Sequence, residues 1–108
     1  MAVQDLDDSN FTDALAGSGM AVVDFYAGWC GPCRLFKPKF NRLSNELTHI
    51  DFFKLDGEKA PNARKSVEIP GLPFFALYKH GEFIAGQSTS KPEALRAMLV
   101  EHFGEAGE

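Results

Sequence analysis

The sequence has few cysteines, no long apolar run and no excess of basic residues. None of its apolar runs approaches the roughly 20 residues that a membrane-spanning helix needs, so we do not expect a membrane protein. Its 11 lysines and arginines stand against 15 acidic residues, which argues against nucleic-acid binding because phosphate contacts need a basic surface. The segment Met1–Asp8 lacks the basic and apolar regions of a signal peptide, and we therefore expect a cytoplasmic protein.

The two cysteines, Cys30 and Cys33, are separated by only two residues. In a reducing compartment such a pair is more typical of transient catalytic use or of metal binding than of a permanent disulfide. A structural zinc site usually has four ligands, and His49, His80 and His102 are scattered along the chain. A zinc site would need those histidines or a second chain. We expect no metal and no other cofactor, and the alternative is a dithiol that binds zinc or a cluster between two chains.

The apolar pattern predicts an α/β domain. Residues 21–27 form a short apolar run bounded by glycines, which is typical of a central strand buried on both faces. The predicted strands cover residues 3–6, 21–27, 50–55, 74–78 and 83–85, with helices after the first, second, third and last. This order predicts a central mixed sheet of four to five strands, helices on both faces and an antiparallel C-terminal hairpin. The length of 108 residues favours a single domain over residues 1–108, which we expect to be a monomer.

The spacing of the cysteines favours a reversible disulfide at the start of a helix. Residues three apart on a helix have Cβ atoms roughly 5–6 Å apart, which is close to the reach of a disulfide. Gly31 lets the chain enter the helix tightly, and Pro32 fixes φ where no backbone donor is needed. The closed loop is very short and gains little stability from closure, so the bond is expected to be reducible.

The two thiols are expected to have different roles. Cys30 lies at the predicted helix N-terminus, where the helix dipole favours a thiolate, so we expect it to be the exposed nucleophile. Cys33 lies one turn further on, and we expect it to be more buried and to act as the resolving thiol. Cys30 would attack a substrate disulfide, and Cys33 would then release the reduced substrate from the mixed disulfide.

Asp24 is an unusual residue, because a carboxylate in an apolar strand is costly to bury. Burial should raise its pKa, and a position behind the dithiol would let it accept the proton of Cys33. The alternative is an aspartate at a strand end that reaches solvent. Lys54 interrupts another apolar strand, and it either extends to solvent or approaches Asp24 from the neighbouring strand.

Trp29 is the only tryptophan and directly precedes Cys30. A core position is one interpretation. We favour the other, in which the indole covers the site and contacts partner proteins.

The segment from Trp29 to Cys33, preceded by residues 23–27 and followed by Pro38 in the helix, closely resembles the thioredoxin family over essentially the whole chain. The resemblance implies the thioredoxin fold and a protein-disulfide reductase that serves cell redox homeostasis as an electron-transport protein. It also implies disulfide-containing proteins as substrates and a flavin-dependent, NADPH-using thioredoxin reductase as electron donor. The Gly-Pro pair between the cysteines resembles that of the reducing members.

Matched residue by residue, Asp24 is similar to the buried acid of the family and Lys54 to its lysine neighbour. Pro73 is similar to the cis-proline of the family. The resemblance implies that the loop around Pro73 lies beside the dithiol and offers the backbone of Leu72 to an extended substrate chain.

The sequence departs from the family at three places, of which the second and third concern substrate recognition. Tyr26 replaces a common tryptophan, and Phe74 follows Pro73 where threonine is common. We expect Phe74 to contribute to the rim that contacts substrate. Residues 85–90 lack the usual valine-glycine-alanine pattern. An alternative function is therefore a thioredoxin-like interaction module that binds a partner through Trp29, Phe74 and residues 87–90, with redox activity secondary.

Overall fold

The computed structural model describes residues 3–105, which contain five strands and four helices in the predicted order. The strands are β1 (Gln4–Leu6), β2 (Met20–Tyr26), β3 (Asp51–Asp56), β4 (Phe74–Lys79) and β5 (Glu82–Ser88). The helices are α1 (Phe11–Ala16), α2 (Gly31–Glu46), α3 (Pro61–Lys65) and α4 (Pro92–Phe103). Residues 1–2 and 106–108 lie outside the described residues, and the single domain over residues 1–108 stays a prediction.

The five strands form one mixed sheet in the order β1-β3-β2-β4-β5. Strand β3 is parallel to both β1 and β2, while β4 is antiparallel to both β2 and β5. Strand β2 is therefore central, as its apolar composition predicts. The predicted fold class, a mixed α/β sheet with an antiparallel C-terminal hairpin, is confirmed.

Both faces of the sheet are covered by helices. Helices α2 and α4 pack on one face, and α1 and α3 pack on the other. Alternate residues of β2 and β4 enter the two hydrophobic clusters, so these strands are buried on both sides. Within residues 3–105, no helix is both long enough and apolar enough to cross a membrane.

The topology brings three segments to one edge of the sheet. Strands β2 and β3 are parallel, so their carboxyl ends meet there, and α2 begins five residues after β2 ends. Strand β4 is antiparallel to β2 and pairs Phe74 with Phe25, so the loop before β4 reaches the same edge. The dithiol, the end of β3 and the loop containing Leu72 and Pro73 are therefore neighbours.

Candidate active site

Cys30 and Cys33 form a disulfide at the N-terminus of α2, with their Cα atoms 5.3 Å apart. Cys30 is the N-cap residue of this helix, and its Sγ accepts a hydrogen bond from the backbone N–H of Cys33 at 3.2 Å. Gly31 begins the helix and Pro32 lies in its first turn, where a missing N–H has no cost. The helix N-terminus therefore supplies a hydrogen bond that stabilises negative charge on the Cys30 sulfur.

The prediction that Cys30 is exposed and Cys33 more buried is wrong for the disulfide form. Cys30 is 3% exposed and Cys33 is 5% exposed. Each is buried because the two residues cover one another and pack with Ala27 against Tyr26 and Leu72. The difference between the sulfurs comes from their polar surroundings, since one caps α2 and the other borders a cavity.

This cavity has a volume of about 170 Å³ and lies behind the disulfide, between α2 and the sheet. Cys33 and Asp24 both border it, whereas Cys30 is not among its lining residues. The complete lining comprises Asp24, Tyr26, Ala27, Gly28, Cys33, Arg34, Lys37 and Lys54. A buried carboxyl group and the second cysteine thus border one small cavity that has room for water.

Asp24 is buried, with only 5% of its surface exposed, so a solvent-directed aspartate at a strand end is ruled out. Its Oδ1 accepts no hydrogen bond from any residue in the described range 3–105. Burial raises the pKa of Asp24 from 3.8 to about 7, and the positive charge of Lys54 limits the rise. The carboxyl group can therefore exchange a proton near neutral pH.

Lys54 combines the two interpretations that the sequence left open. It pairs in register with Asp24 on the neighbouring strand, and its positive charge acts on the buried acid. Its ammonium also extends outward and lies 3.8 Å from Oδ1 of Asp5. Asp5 is a residue that the sequence patterns did not single out.

Trp29 is exposed over 69% of its surface, which excludes a core position. Its indole Nε1–H donates a hydrogen bond to Oε2 of Glu58 at 2.9 Å. Sequence reasoning missed Glu58, although it follows β3 by two residues and β3 ends at the same edge as β2. The bond holds a large, exposed aromatic ring next to the disulfide.

The loop before β4 packs beside the disulfide. The Leu72–Pro73 peptide bond is cis, as the resemblance implied, and Leu72 packs against the cluster that contains both cysteines. Ser88, at the end of β5, donates a hydrogen bond from Oγ to the carbonyl oxygen of Gly71 at 2.8 Å. The unusual segment 85–90 is thus attached to the loop that contains Pro73.

Phe74 does not contribute to an exposed rim, and that prediction is corrected. The residue is 4% exposed, and its ring lies 6.2 Å from the ring of Phe25 and directly beneath Gly86. The reason is its place in β4, which has neighbouring strands on both sides and helices over both faces. The substitution of an aromatic residue after Pro73 therefore changes the core rather than the rim.

The contact between Gly86 and the Phe74 ring gives a testable prediction. A Cβ at position 86 would overlap Cζ of Phe74 and would lie 3.1 Å from both Cε atoms. We expect Gly86→Ala to lower the free energy of unfolding by about 1–3 kcal/mol, as overpacking of a core does. Urea unfolding should show the loss, and Phe74→Leu in the same chain should recover part of it. Gly71→Ala is the control, since a Cβ there meets no atom within 4 Å; equal losses at both glycines would contradict the packing explanation.

The residues in the described range, 3–105, include no group of three or more His, Cys, Asp or Glu side chains that could hold a metal ion. The groups that the structure brings together at the site are the two cysteines, the helix terminus and the buried acid. Together these groups suit thiol–disulfide exchange.

Comparison with known proteins identifies the family. The thioredoxin family model matches residues 2–101. The chain belongs to the thioredoxin family. Thioredoxin-1 of Schizosaccharomyces pombe is 34% identical over 99 residues, which cover 92% of this chain and 96% of that protein. Thioredoxin-1 of Saccharomyces cerevisiae is 33% identical over 92 residues, which cover 85% of this chain and 89% of that protein.

Solved thioredoxin structures have the same fold. Thioredoxin f2 of Chlamydomonas reinhardtii superposes with a TM-score of 0.89 at 30% identity, covering 95% of this chain and 98% of that one. The oxidised form of mitochondrial thioredoxin 3 from Saccharomyces cerevisiae gives a TM-score of 0.85 at 29% identity, covering 92% and 94% of the two chains. The structures similar to this thioredoxin-family protein thus include a mitochondrial thioredoxin and a thioredoxin f from spinach chloroplast.

As a member of this family with a cysteine pair at a helix N-terminus, the chain is a thiol–disulfide oxidoreductase. The predicted enzyme class is confirmed. The alternative function, an interaction module with secondary redox activity, is not favoured by these comparisons.

Proposed function

We propose that the protein reduces disulfides in other proteins, with Cys30 as the nucleophile, Cys33 as the resolving thiol and Asp24 as the proton acceptor for Cys33. The observation that carries this assignment is the unequal surroundings of the two sulfurs. Cys30 caps α2, where N–H groups favour a thiolate, and Cys33 shares a cavity with a buried acid.

The reaction runs in two exchanges. In the reduced protein, the Cys30 thiolate attacks one sulfur of the substrate disulfide; a protein–substrate disulfide forms and the other substrate sulfur leaves as a thiolate. Cys33 then gives its proton to Asp24, directly or through water, and attacks Sγ of Cys30. The second substrate sulfur leaves as a thiolate, so the substrate gains two electrons and the protein is left with the Cys30–Cys33 disulfide.

The pKa of Asp24 suits this role. A pKa raised to about 7 by burial leaves comparable amounts of acid and base at neutral pH, which is the condition for efficient proton exchange. Lys54 stabilises the ionised form and so supports the role of Asp24 as a base.

The surface around the disulfide suits an extended protein substrate. Trp29 is exposed and held by Glu58, and Leu72 lies next to the cysteines with the cis Pro73 after it. We assign Trp29, Leu72 and Pro73 to substrate binding, and Gly31 and Pro32 to shaping the start of α2.

A dedicated reductase is the proposed source of electrons, because the protein becomes oxidised in each cycle. A solved structure with a TM-score of 0.87 and 28% identity, covering 93% of this chain and 94% of that one, shows thioredoxin f2 in complex with ferredoxin:thioredoxin reductase. We propose a thioredoxin reductase as the corresponding partner here. The proposal includes a cytoplasmic monomer that transports electrons with no cofactor besides its own disulfide.

A reduction assay tests the proposed substrate class and its binding surface. We expect the protein to reduce a disulfide-containing protein with dithiothreitol as electron source, and with thioredoxin reductase and NADPH in a second arm. Trp29→Ala should raise KM for the protein substrate about tenfold, as loss of an interface aromatic residue commonly does. The same substitution should have little effect on KM for a small disulfide. Phe83→Ala is the control, because Phe83 is another exposed aromatic residue but lies at the opposite edge of the sheet.

The reductase function, the electron donor and the role of Trp29 are each contradicted by a different result. Absence of protein-disulfide reduction with dithiothreitol would contradict the reductase function. Activity with dithiothreitol but not with thioredoxin reductase would contradict only the proposal that this reductase is the electron donor. If Trp29→Ala changed KM equally for a protein disulfide and for a small disulfide, this would contradict the assignment of Trp29 to substrate binding.

A further inference from the structure

Three charged side chains form a row across the three strands β1, β3 and β2. Asp5 pairs in register with Lys54, and Lys54 pairs in register with Asp24. Residues directly in register on adjacent strands project to the same face, which here is the face that α2 covers. Lys54 thus stands between two acidic residues in the row, Asp24, which is buried, and Asp5, whose side chain is 71% exposed.

Lys54 makes its ion pair with the exposed acid of this row. Its Nζ lies 3.8 Å from Oδ1 of Asp5, while Oδ1 of Asp24 has no hydrogen-bond partner in the range 3–105. The Lys54 side chain is only 22% exposed, so its charge is screened less by solvent than a surface lysine. A change in the position of this ammonium group therefore changes the stability of the ionised Asp24.

We propose that Asp5 is a positioning residue for proton exchange at Asp24: it holds the Lys54 ammonium group toward β1 and thereby limits how strongly Lys54 stabilises the Asp24 carboxylate. The proposal rests on the proposed function in assigning proton exchange to Asp24. The charge arrangement itself does not depend on that function.

The negative charge of Asp5 also reaches the site. Burial raises the pKa of Tyr26, and Asp5, Asp56 and Asp24 raise it further. Tyr26 borders the same cavity as Asp24, so these groups act in one electrostatic environment.

A direct effect of Asp5 on Asp24 is expected to be weak. The two residues are two strand spacings apart, which is about 10 Å, and salt at 0.1 M screens charges over about that distance. The ion pair with Lys54 is much closer, so most of the effect should pass through the lysine.

The other charged and titratable groups around Asp24 stay unchanged in a test at position 5. They are Tyr26 on β2, Asp56 on β3, and Cys33, Arg34 and Lys37 on α2. Strand β4 contributes Phe75 as the register partner of Asp24, and this residue does not titrate.

The test is a titration of the Asp24 carboxyl carbon by NMR in the oxidised protein, where neither thiol titrates. We expect Asp5→Asn to lower the midpoint by roughly 0.3–0.7 pH unit, the range that a weak ion pair implies. Asp13→Asn removes the same charge from α1, on the opposite face of the sheet, and should leave the midpoint unchanged. An unchanged or higher midpoint in Asp5→Asn would overturn the proposal.

A double variant separates the route through Lys54 from a direct effect. In a Lys54→Met background, Asp5→Asn should no longer shift the midpoint; a full shift there would show that Asp5 acts directly and is not a positioning residue. In the single variant, the pH profile of disulfide reduction should shift together with the titration. A shifted titration with an unshifted profile would overturn the role of Asp24 in the proposed function, and with it the role of Asp5 in catalysis.

Discussion

Cys30→Ser should reduce the rate of protein-disulfide reduction by more than roughly 10³-fold, as removal of an essential nucleophile does. A serine hydroxyl cannot form the mixed disulfide, so the first exchange is lost. The start of α2 should stay in place, because the helix begins at Gly31 and a serine Oγ at position 30 can accept the N-cap hydrogen bond from the backbone N–H of Cys33. Turnover of a protein disulfide with dithiothreitol as electron source measures the loss.

Cys33→Ser is the matched control, because it also removes the Cys30–Cys33 disulfide and replaces one sulfur by oxygen. It should lose turnover but keep the first exchange, so a single rapid release of one substrate thiol per protein molecule is expected. Retained turnover in Cys30→Ser, or absence of that rapid release in Cys33→Ser, would contradict the roles assigned to the two cysteines.

In the oxidised protein, Asp24→Asn should have a higher free energy of unfolding than wild type at pH 8.5. This advantage over wild type should be up to about 4 kcal/mol larger at pH 8.5 than at pH 4. Burial raises the pKa of Asp24 to about 7 from an ordinary value of 3.8. Between these two values the native state holds a proton that the unfolded chain has released, so wild-type stability falls as pH rises through this window. Above pH 7 both states are ionised and the loss stays constant.

Urea unfolding of both proteins at several pH values measures this difference, since groups that are common to the two proteins cancel. Asparagine is neutral throughout, so its advantage should grow between pH 4 and pH 7 and then level off. Asp13→Asn, at an exposed position on α1, should give no comparable trend. A difference between Asp24→Asn and wild type that does not change with pH would contradict a raised pKa at Asp24.

Hydrophobic pattern predicted the order of the elements because each long strand and helix has a clear apolar face or apolar run. It could not fix the order of the strands in the sheet. Strand β1 has only three residues, and its pairing with β3 depends on contacts between segments that are about 50 residues apart in the chain. The alignment of Asp5 with Lys54 on neighbouring strands could not be predicted from the sequence for the same reason.

At the site, the spacing of the two cysteines and the lone carboxylate in an apolar strand were enough to predict that Cys30, Cys33 and Asp24 belong to one site. Exposure was harder to predict. Phe74 was expected at the rim because it follows Pro73, but the second face of β4 is buried as well as the first. Cys30 was expected to be exposed, but in the disulfide form it is covered by Cys33 and its neighbours.

Trapping the mixed-disulfide intermediate tests directly whether Cys30 attacks the substrate and Cys33 resolves the intermediate. Cys33→Ser in its reduced form should be mixed with a disulfide-containing protein, and the covalent product should be digested and mapped by mass spectrometry. We expect one stable mixed disulfide, joined through Cys30, and far less covalent product when Cys30→Ser is used with Cys33 intact. Equal trapping through Cys33 in Cys30→Ser would contradict it.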